Sequence, residues 1–282
     1  MTAATRFLLE QQNEDGGWGY SVINRTSFTE PTAWALAALQ RGDRVLESSL
    51  ERGRDFLSAT QNEDGGWANV PGMQSDMMTA RAILALSAAP AGSRAVARGA
   101  DWILDNELPS GGWGWCAGTT GFVETAAYGV VALAAAQRLN DRARRVGYVQ
   151  DLACRDGGWC SHVPTKMGIP QHSQQSVTPL GVIAIATAAE NDQLSPTLAR
   201  PLALIERWLS GGLVNTAYTQ ATTLWALARA GAWRSALQLA EAARSSVSSD
   251  GSWSGSVLHS AMMLYALREL ELVTNEKRVS EL

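Results

Sequence analysis

A glycine-rich turn recurs six times along the 282-residue chain, each time joining an amphipathic segment to an Ala/Leu-rich one. The turns read Asp15-Gly16-Gly17-Trp18, Asp64-Gly65-Gly66-Trp67, Ser110-Gly111-Gly112-Trp113, Asp156-Gly157-Gly158-Trp159, Ser210-Gly211-Gly212-Leu213 and Asp250-Gly251-Ser252-Trp253. They lie roughly 40 to 55 residues apart, the period of a helix-pair repeat. No linker separates the units, so the chain reads as one domain, 1–282. Its repeats fall at about 1–42, 43–90, 91–138, 139–191, 192–230 and 231–275, with a polar tail at 276–282.

The segment before each turn carries charge on one side and apolar residues at helical spacing, the pattern of an outer helix. These are Thr2–Gln12, Arg44–Gln61, Ser93–Glu107, Asp141–Ala153, Ser195–Leu209 and Ala232–Ser246. The segments after the turns are Pro31–Gln40, Asp76–Ala89, Glu124–Arg138, Ser176–Glu190, Thr219–Ala230 and Ser260–Leu272, with few charges before their last turn. Such helices are buried on most sides, as an inner ring is. Pro31 and Pro179 suit a first helical turn, Asp76 and Ser176 are natural N-caps, and the paired glycines allow the reversal between helices. The tryptophan after them is a packing plate. An open solenoid needs polar capping repeats; here both terminal repeats keep apolar inner helices. The expected fold is therefore all-α, a single (α/α)6 toroid of six helical hairpins.

A net charge of −4 gives no basic footprint for nucleic acid. Three cysteines in a chain of long helices point to a reducing compartment rather than a disulfide scaffold. The repeat begins almost at Met1, in Arg6-Phe7-Leu8-Leu9, so no signal peptide is expected. No apolar run approaches a membrane span of about 20 residues. The expected location is the cytoplasm.

The second unit carries Arg52-Gly53, Phe56, Gln61, Gly65-Gly66 and Trp67, then Thr79-Ala80 opening the inner helix. Arg98-Gly99 with Trp102, and Gln12 with Trp18, are partial copies. This resembles the prenyltransferase/squalene-cyclase repeat and its "QW" motif, over nearly the whole chain. The resemblance implies an α/α barrel that handles isoprenoid chains. It also exposes departures. The Asp-x-Asp-Asp-Thr-Ala acid motif of class II cyclases is matched by Ser75-Asp76-Met77-Met78-Thr79-Ala80, which keeps Thr-Ala and loses the acid pair. His259 matches the position of a zinc-binding His in protein prenyltransferases, but Tyr218-Thr219-Gln220 in the preceding repeat supplies neither Asp nor Cys.

In such a toroid the N-termini of all inner helices share one rim, whose positive potential favours a diphosphate, a carboxylate or the protein's own acidic side chains. The loops after Trp18, Trp67, Trp113 and Trp159 are long enough to form the lips of a pocket. Aligning the inner helices puts Glu30, Met77, Glu124, Ser176, Tyr218 and Leu258 at the first rim position. Trp34, Arg81, Tyr128, Leu180, Thr222 and Met262 lie one turn deeper on the same face. Two readings follow. Glu30 or Glu124, buried under an apolar substrate, acts as a general acid, with Trp34 and Tyr128 facing a carbocation. Alternatively Arg81 pairs with Glu30 or Glu124 in a structural network, which makes the paired carboxylate a poor acid, or both glutamates simply favour helix N-termini. Asp76, Arg81, Tyr218 and His259 complete the expected substrate contacts.

Cys116 and Cys160 follow turns in adjacent repeats, and His162 is nearby. Two thiolates and an imidazole suit catalytic zinc, and Trp115-Cys116-Ala117-Gly118 resembles the zinc site of lanthionine cyclases. Cys154 reads as core. The loop Cys160–Gln175 suits a lid, with Lys166 on an anion and His172 as acid or base. The leading expectation is a terpene cyclase-like enzyme without a cofactor, cyclising or isomerising an apolar isoprenoid or polyene that bears a diphosphate or carboxylate. The alternatives are a non-catalytic isoprenoid-binding or partner subunit, and zinc-dependent transfer or thioether chemistry. An aromatic-lined inner cavity supports either of the first two; a lumen filled by side chains would sink both.

Overall fold

The computed structural model describes residues 2–23, 25–42, 47–88, 93–161, 172–189 and 194–280. They form twelve helices: α1 Ala3–Glu10, α2 Thr29–Leu39, α3 Glu47–Ala59, α4 Met78–Leu86, α5 Ser93–Asp105, α6 Val123–Ala135, α7 Arg142–Asp151, α8 Thr178–Ala188, α9 Leu194–Ser210, α10 Ala217–Arg229, α11 Trp233–Ser245 and α12 Val257–Ser280. The even-numbered helices are the inner ones. Every residue of α4 is buried, and in α2 all but Glu30 are. The odd-numbered helices bury one stripe, as α3 does with Leu50, Gly53, Phe56 and Leu57.

The inner helices contact one another in the order α2, α4, α6, α8, α10, α12, and α12 packs back on α2. The ring is closed, so the architecture is the toroid and not an open solenoid. The outer helices cover the inner helix of the preceding repeat, α3 on α2, α5 on α4, α9 on α8, α11 on α10 and α1 on α12, whereas α7 packs more on α8 of its own repeat than on α6. At the closing seam the Arg268 guanidinium donates to the carbonyl of Ala38 and, at 2.8 Å, to Thr5 Oγ1.

The turn chemistry repeats almost atom for atom. The first glycine takes positive φ, +87° at Gly16 and +90° at Gly65, where a Cβ would strike the backbone of Arg52 or Arg98 in the next outer helix. The aspartate before it accepts the N–H of the second glycine, at 3.0 Å for Asp15 and 2.9 Å for Asp64. Each buried tryptophan then donates its indole N–H to the carbonyl ten residues earlier: Trp18 to Leu8, Trp67 to Leu57, Trp113 to Ile103 and Trp159 to Val149, all at 2.7 Å, and Trp253 to Ala243 at 2.8 Å. The backbone N–H of Trp18 and of Trp67 donates to the hydroxyl of Thr32 and Thr79 respectively, both at 2.8 Å. Trp159 and Trp253 pair likewise with Thr178 and Ser260. One residue thus satisfies the free carbonyls of the outer helix and pins the start of the inner one. The fifth turn has no tryptophan, and its Leu213 is exposed.

Two boundaries depart from expectation. Ser176 does not cap α8. The carbonyl of Gln174 accepts the N–H groups of Val177 and Thr178, and Val177 holds the cap position. At the other end, α12 continues to Ser280, through most of the segment read as a polar tail. Among the described residues no helix is long and apolar enough to cross a membrane.

Replacing Trp67 by Phe keeps most of the ring but takes the indole donor from the Leu57 carbonyl, leaving it the longer 3.3 Å bond from Thr60 Oγ1. Urea denaturation should show a loss of about 1–3 kcal/mol, and a change below about 0.5 kcal/mol would show that the hydrogen bond is dispensable.

Candidate functional site

The rim is built by a belt of backbone hydrogen bonds between repeats. The residue two places after a tryptophan offers its carbonyl to the start of the preceding repeat's inner helix. Asn69 accepts from Thr29 N and Trp115 from Met77 N, both at 3.0 Å, and Tyr20 accepts from Val257 N at 3.1 Å. These helix-end N–H groups have no partner within their own helix, so the long loops are drawn across the rim to meet them. Val22, Ile23, Val70, Met73 and Trp115 stand exposed on those loops as apolar lips.

Arg81 sits at the centre of the mouth with 3 % of its side chain exposed. Its Nε lies 3.1 Å from Glu30 Oε1 and its Nη2 3.3 Å from Glu124 Oε1. The guanidinium stacks 3.8 Å from the Tyr128 ring centroid and lies 5.9 Å from that of Trp115. Burial opposes the charge of Arg81. Glu30 foremost, then Tyr128 and Glu124, act the other way and hold the group above its ordinary range. Glu30 is fixed further by loop residues: the Tyr20 hydroxyl donates to its Oε2 at 2.9 Å, and Asn69 Nδ2 donates to that hydroxyl at 2.7 Å. Glu124 has no second side-chain partner among the described residues, and 39 % of its side chain is exposed.

Asp76 differs from both glutamates. Burial raises its carboxyl above the usual carboxylate range, against the backbone N–H groups of Met78 and Asn69 and the charge of Arg81. Its Oδ1 accepts Met78 N at 2.7 Å, capping α4 from just before the helix. Tyr218 and His259 face each other with ring centroids 6.4 Å apart. Burial, then Glu124, pushes the Tyr218 hydroxyl up; burial lowers the His259 imidazole, with Glu30 acting against it.

One turn below the rim the lumen is closed. Trp34, Arg81, Tyr128, Leu180, Thr222 and Met262 are each 3 % exposed or less. Trp34 packs edge-to-face on Tyr128, Trp225 and Tyr265, at centroid distances of 6.2, 5.7 and 5.2 Å. The two aromatic rings expected to line an inner cavity instead belong to a plug, so the deep isoprenoid cavity that the first two expectations require is filled by side chains at this level, and a ligand has only the rim above it. A separate open cleft of about 480 Å³ is lined by Gln12, Asn13, Glu14, Asp15 and Arg25 and shares no residue with the mouth.

The expected zinc set is only partly described, because His162 lies outside the described residues. Cys160 is buried and hydrogen-bonded to Cys154, whose thiol is pushed up to about 12 by burial and by that contact. Cys116 lies near Asp76, and burial, then that carboxylate, raises its pKa. Zinc takes the thiolate, which these surroundings disfavour for Cys116. No group of three or more His, Cys, Asp or Glu among the described residues is arranged to hold a metal. His162 and Lys166 lie outside the described residues, and His172 is exposed.

Residues 1–75 match the squalene-hopene cyclase C-terminal domain. The type II terpene cyclase MstE from Scytonema superposes with a TM-score of 0.73 at 16 % identity, over 96 % of each chain. The chain folds as a terpene cyclase-like α/α toroid. A protein from Actinoplanes superposes with a TM-score of 0.70 at 16 % identity, over 95 % of this chain and 98 % of that one. An alpha-amylase from Clostridium perfringens does so with a TM-score of 0.70 at 9 % identity, over 94 % of this chain and 96 % of that one. No curated protein matches the sequence. One toroid thus carries unrelated chemistries, and function has to be argued from the mouth.

Tyr20, Asn69 and Trp115 escaped the sequence reading. They share one offset from the repeat tryptophan, which is legible, but their chemistry differs from repeat to repeat. Removing Arg81 leaves Glu30 and Glu124 facing each other, so Arg81→Met should cost about 3 kcal/mol in denaturant unfolding. Adding Glu30→Gln and Glu124→Gln should restore most of it. For His259 the folded pKa lies below the unfolded one, so stability falls as pH drops below the ordinary imidazole value of about 6.5. The Tm of His259→Gln should fall less than that of the parent between about pH 7.5 and 5.5, the window set by that value; parallel curves would exclude this residue.

Proposed function

We propose that the protein is a terpene cyclase-like enzyme that binds an apolar isoprenoid at the mouth of the toroid, with Asp76 as the proton donor. The observation that carries this reading is the division of labour among three carboxyl groups. Glu30 and Glu124 are engaged by Arg81, whereas Asp76, at the head of the helix that also bears Thr79-Ala80, makes no ion pair with it and burial raises its carboxyl above the usual carboxylate range. A general acid must be protonated at working pH and next to its substrate. The apolar lips provide a path for a hydrocarbon chain, which lies across the mouth because the lumen below is occupied by Trp34, Tyr128, Trp225 and Tyr265. Proton transfer from Asp76 to an alkene carbon generates a carbocation, and the exposed ring of Trp115, whose carbonyl accepts Met77 N beside Asp76, is a π system able to stabilise it.

A variant of MstE has been seen with the substrate geranylgeranyl dihydroxybenzoate, which makes prenylated aromatics a sensible first panel. Incubation with such compounds and product detection by mass spectrometry should reveal turnover. Asp76→Asn should lower it by about 100-fold or more, the scale of general acid catalysis. Because the acid form is required, the rate should fall as pH rises through the raised Asp76 pKa. Unchanged turnover in Asp76→Asn rules out this donor. Binding without any product favours the isoprenoid-binding role.

A further inference from the structure

Among the described residues, several of the groups that could bind an anion at the mouth are already used by the protein itself. Arg81 is sealed behind two carboxylates and between the planes of Tyr128 and Trp115. The starts of α2, α4 and α12 donate to the carbonyls of Asn69, Trp115 and Tyr20, the Met78 N–H is taken by Asp76, and α10 is capped by the Thr216 hydroxyl. Burial keeps His259 toward its neutral form. Two carboxylates against one guanidinium leave an excess of negative charge. It is displayed by Glu124, because Glu30 is bound on both oxygens whereas Glu124 makes a single 3.3 Å contact and is partly open to solvent.

We propose that Glu124 is a specificity-determining residue, reserving the mouth for isoprenoids with an uncharged or cationic head and turning away diphosphates and carboxylates. An anion approaching Arg81 must displace Glu124 or lie against it, and like charges at that range repel strongly where water is scarce. An alcohol or phenol hydroxyl instead donates to the free oxygen of Glu124, and an ammonium pairs with it. This departs from the anionic head group that six convergent helix N-termini suggest, because at α2, α4, α10 and α12 the protein's own side chains and loop carbonyls take part of that role.

The inference rests on reading the mouth as an isoprenoid site, and binding separates the two without turnover. Geranylgeraniol, geranylgeranylamine and geranylgeranyl diphosphate are titrated calorimetrically into the full chain. The alcohol and the amine should bind at least about tenfold more tightly than the diphosphate. Glu124→Gln should tighten the diphosphate by about tenfold and weaken the amine by about tenfold, with the alcohol weakened less than the amine because the amide oxygen still accepts, and Glu124→Asp should keep the discrimination. A diphosphate that binds the parent as tightly as the alcohol overturns the proposal, as does an unchanged ratio in a folded Glu124→Gln variant. If that variant does not fold, the order of affinities in the parent decides. Failure of all three ligands to bind defeats the isoprenoid reading, and this proposal with it.

Discussion

Five indole N–H groups, each donating to a carbonyl ten residues upstream, are the connection on which the rest of the molecule depends. The outer helix ends with carbonyls that need donors, and the inner helix begins with N–H groups that need acceptors. A tryptophan whose ring donates to the first, and whose backbone meets a hydroxyl at the second, fixes one hairpin in one geometry. Repeating that geometry carries the inner helices round until α12 meets α2. The fifth repeat dispenses with the tryptophan, and the ring still closes because its neighbours set its position on both sides.

A closed ring of parallel inner helices is electrically polar, and the two ends of the lumen answer that polarity in opposite ways. At the N-terminal end a buried arginine stands between two carboxylates that belong to first helical turns or their vicinity. At the C-terminal end the arrangement is inverted: Glu269 is buried between Arg41, at 3.1 Å, and Arg229, at 2.5 Å, with Arg41 stacked on Tyr265. Acidic side chains gather at helix N-termini and basic ones at C-termini, and each end then needs one opposite charge to hold its pair together. Between them the aromatic plug keeps water out and gives both ion clusters a low-dielectric floor.

Much of this was legible in particular residues. Glu30, Arg81 and Glu124 were placed on one face by inner-helix register alone, and their pairing was one of the two readings that register allowed. What register did not show was Tyr20 and Asn69 arriving from loops to fix Glu30, since a loop's path is set by the neighbour it meets. Cys116 and Cys160 look like partners in sequence because both follow a turn. In the fold Cys160 meets Cys154 across its own turn, a contact between residues six apart that adjacency of repeats concealed. Trp34 and Tyr128 were rightly put on the inner face, but whether such rings line a cavity or fill it depends on what four helices bring to the same point.

The sequence by itself determined the repeat, the toroid and the ring of residues from which any site must be drawn, because these follow from local hydrogen-bond needs and helical periodicity that recur unit by unit. Tertiary structure decided which of those residues neutralise one another, which carboxyl group burial raises above the usual carboxylate range, and how deep the mouth is. Those outcomes depend on distances between helices that are far apart in the chain, and on the desolvation that only the closed ring imposes.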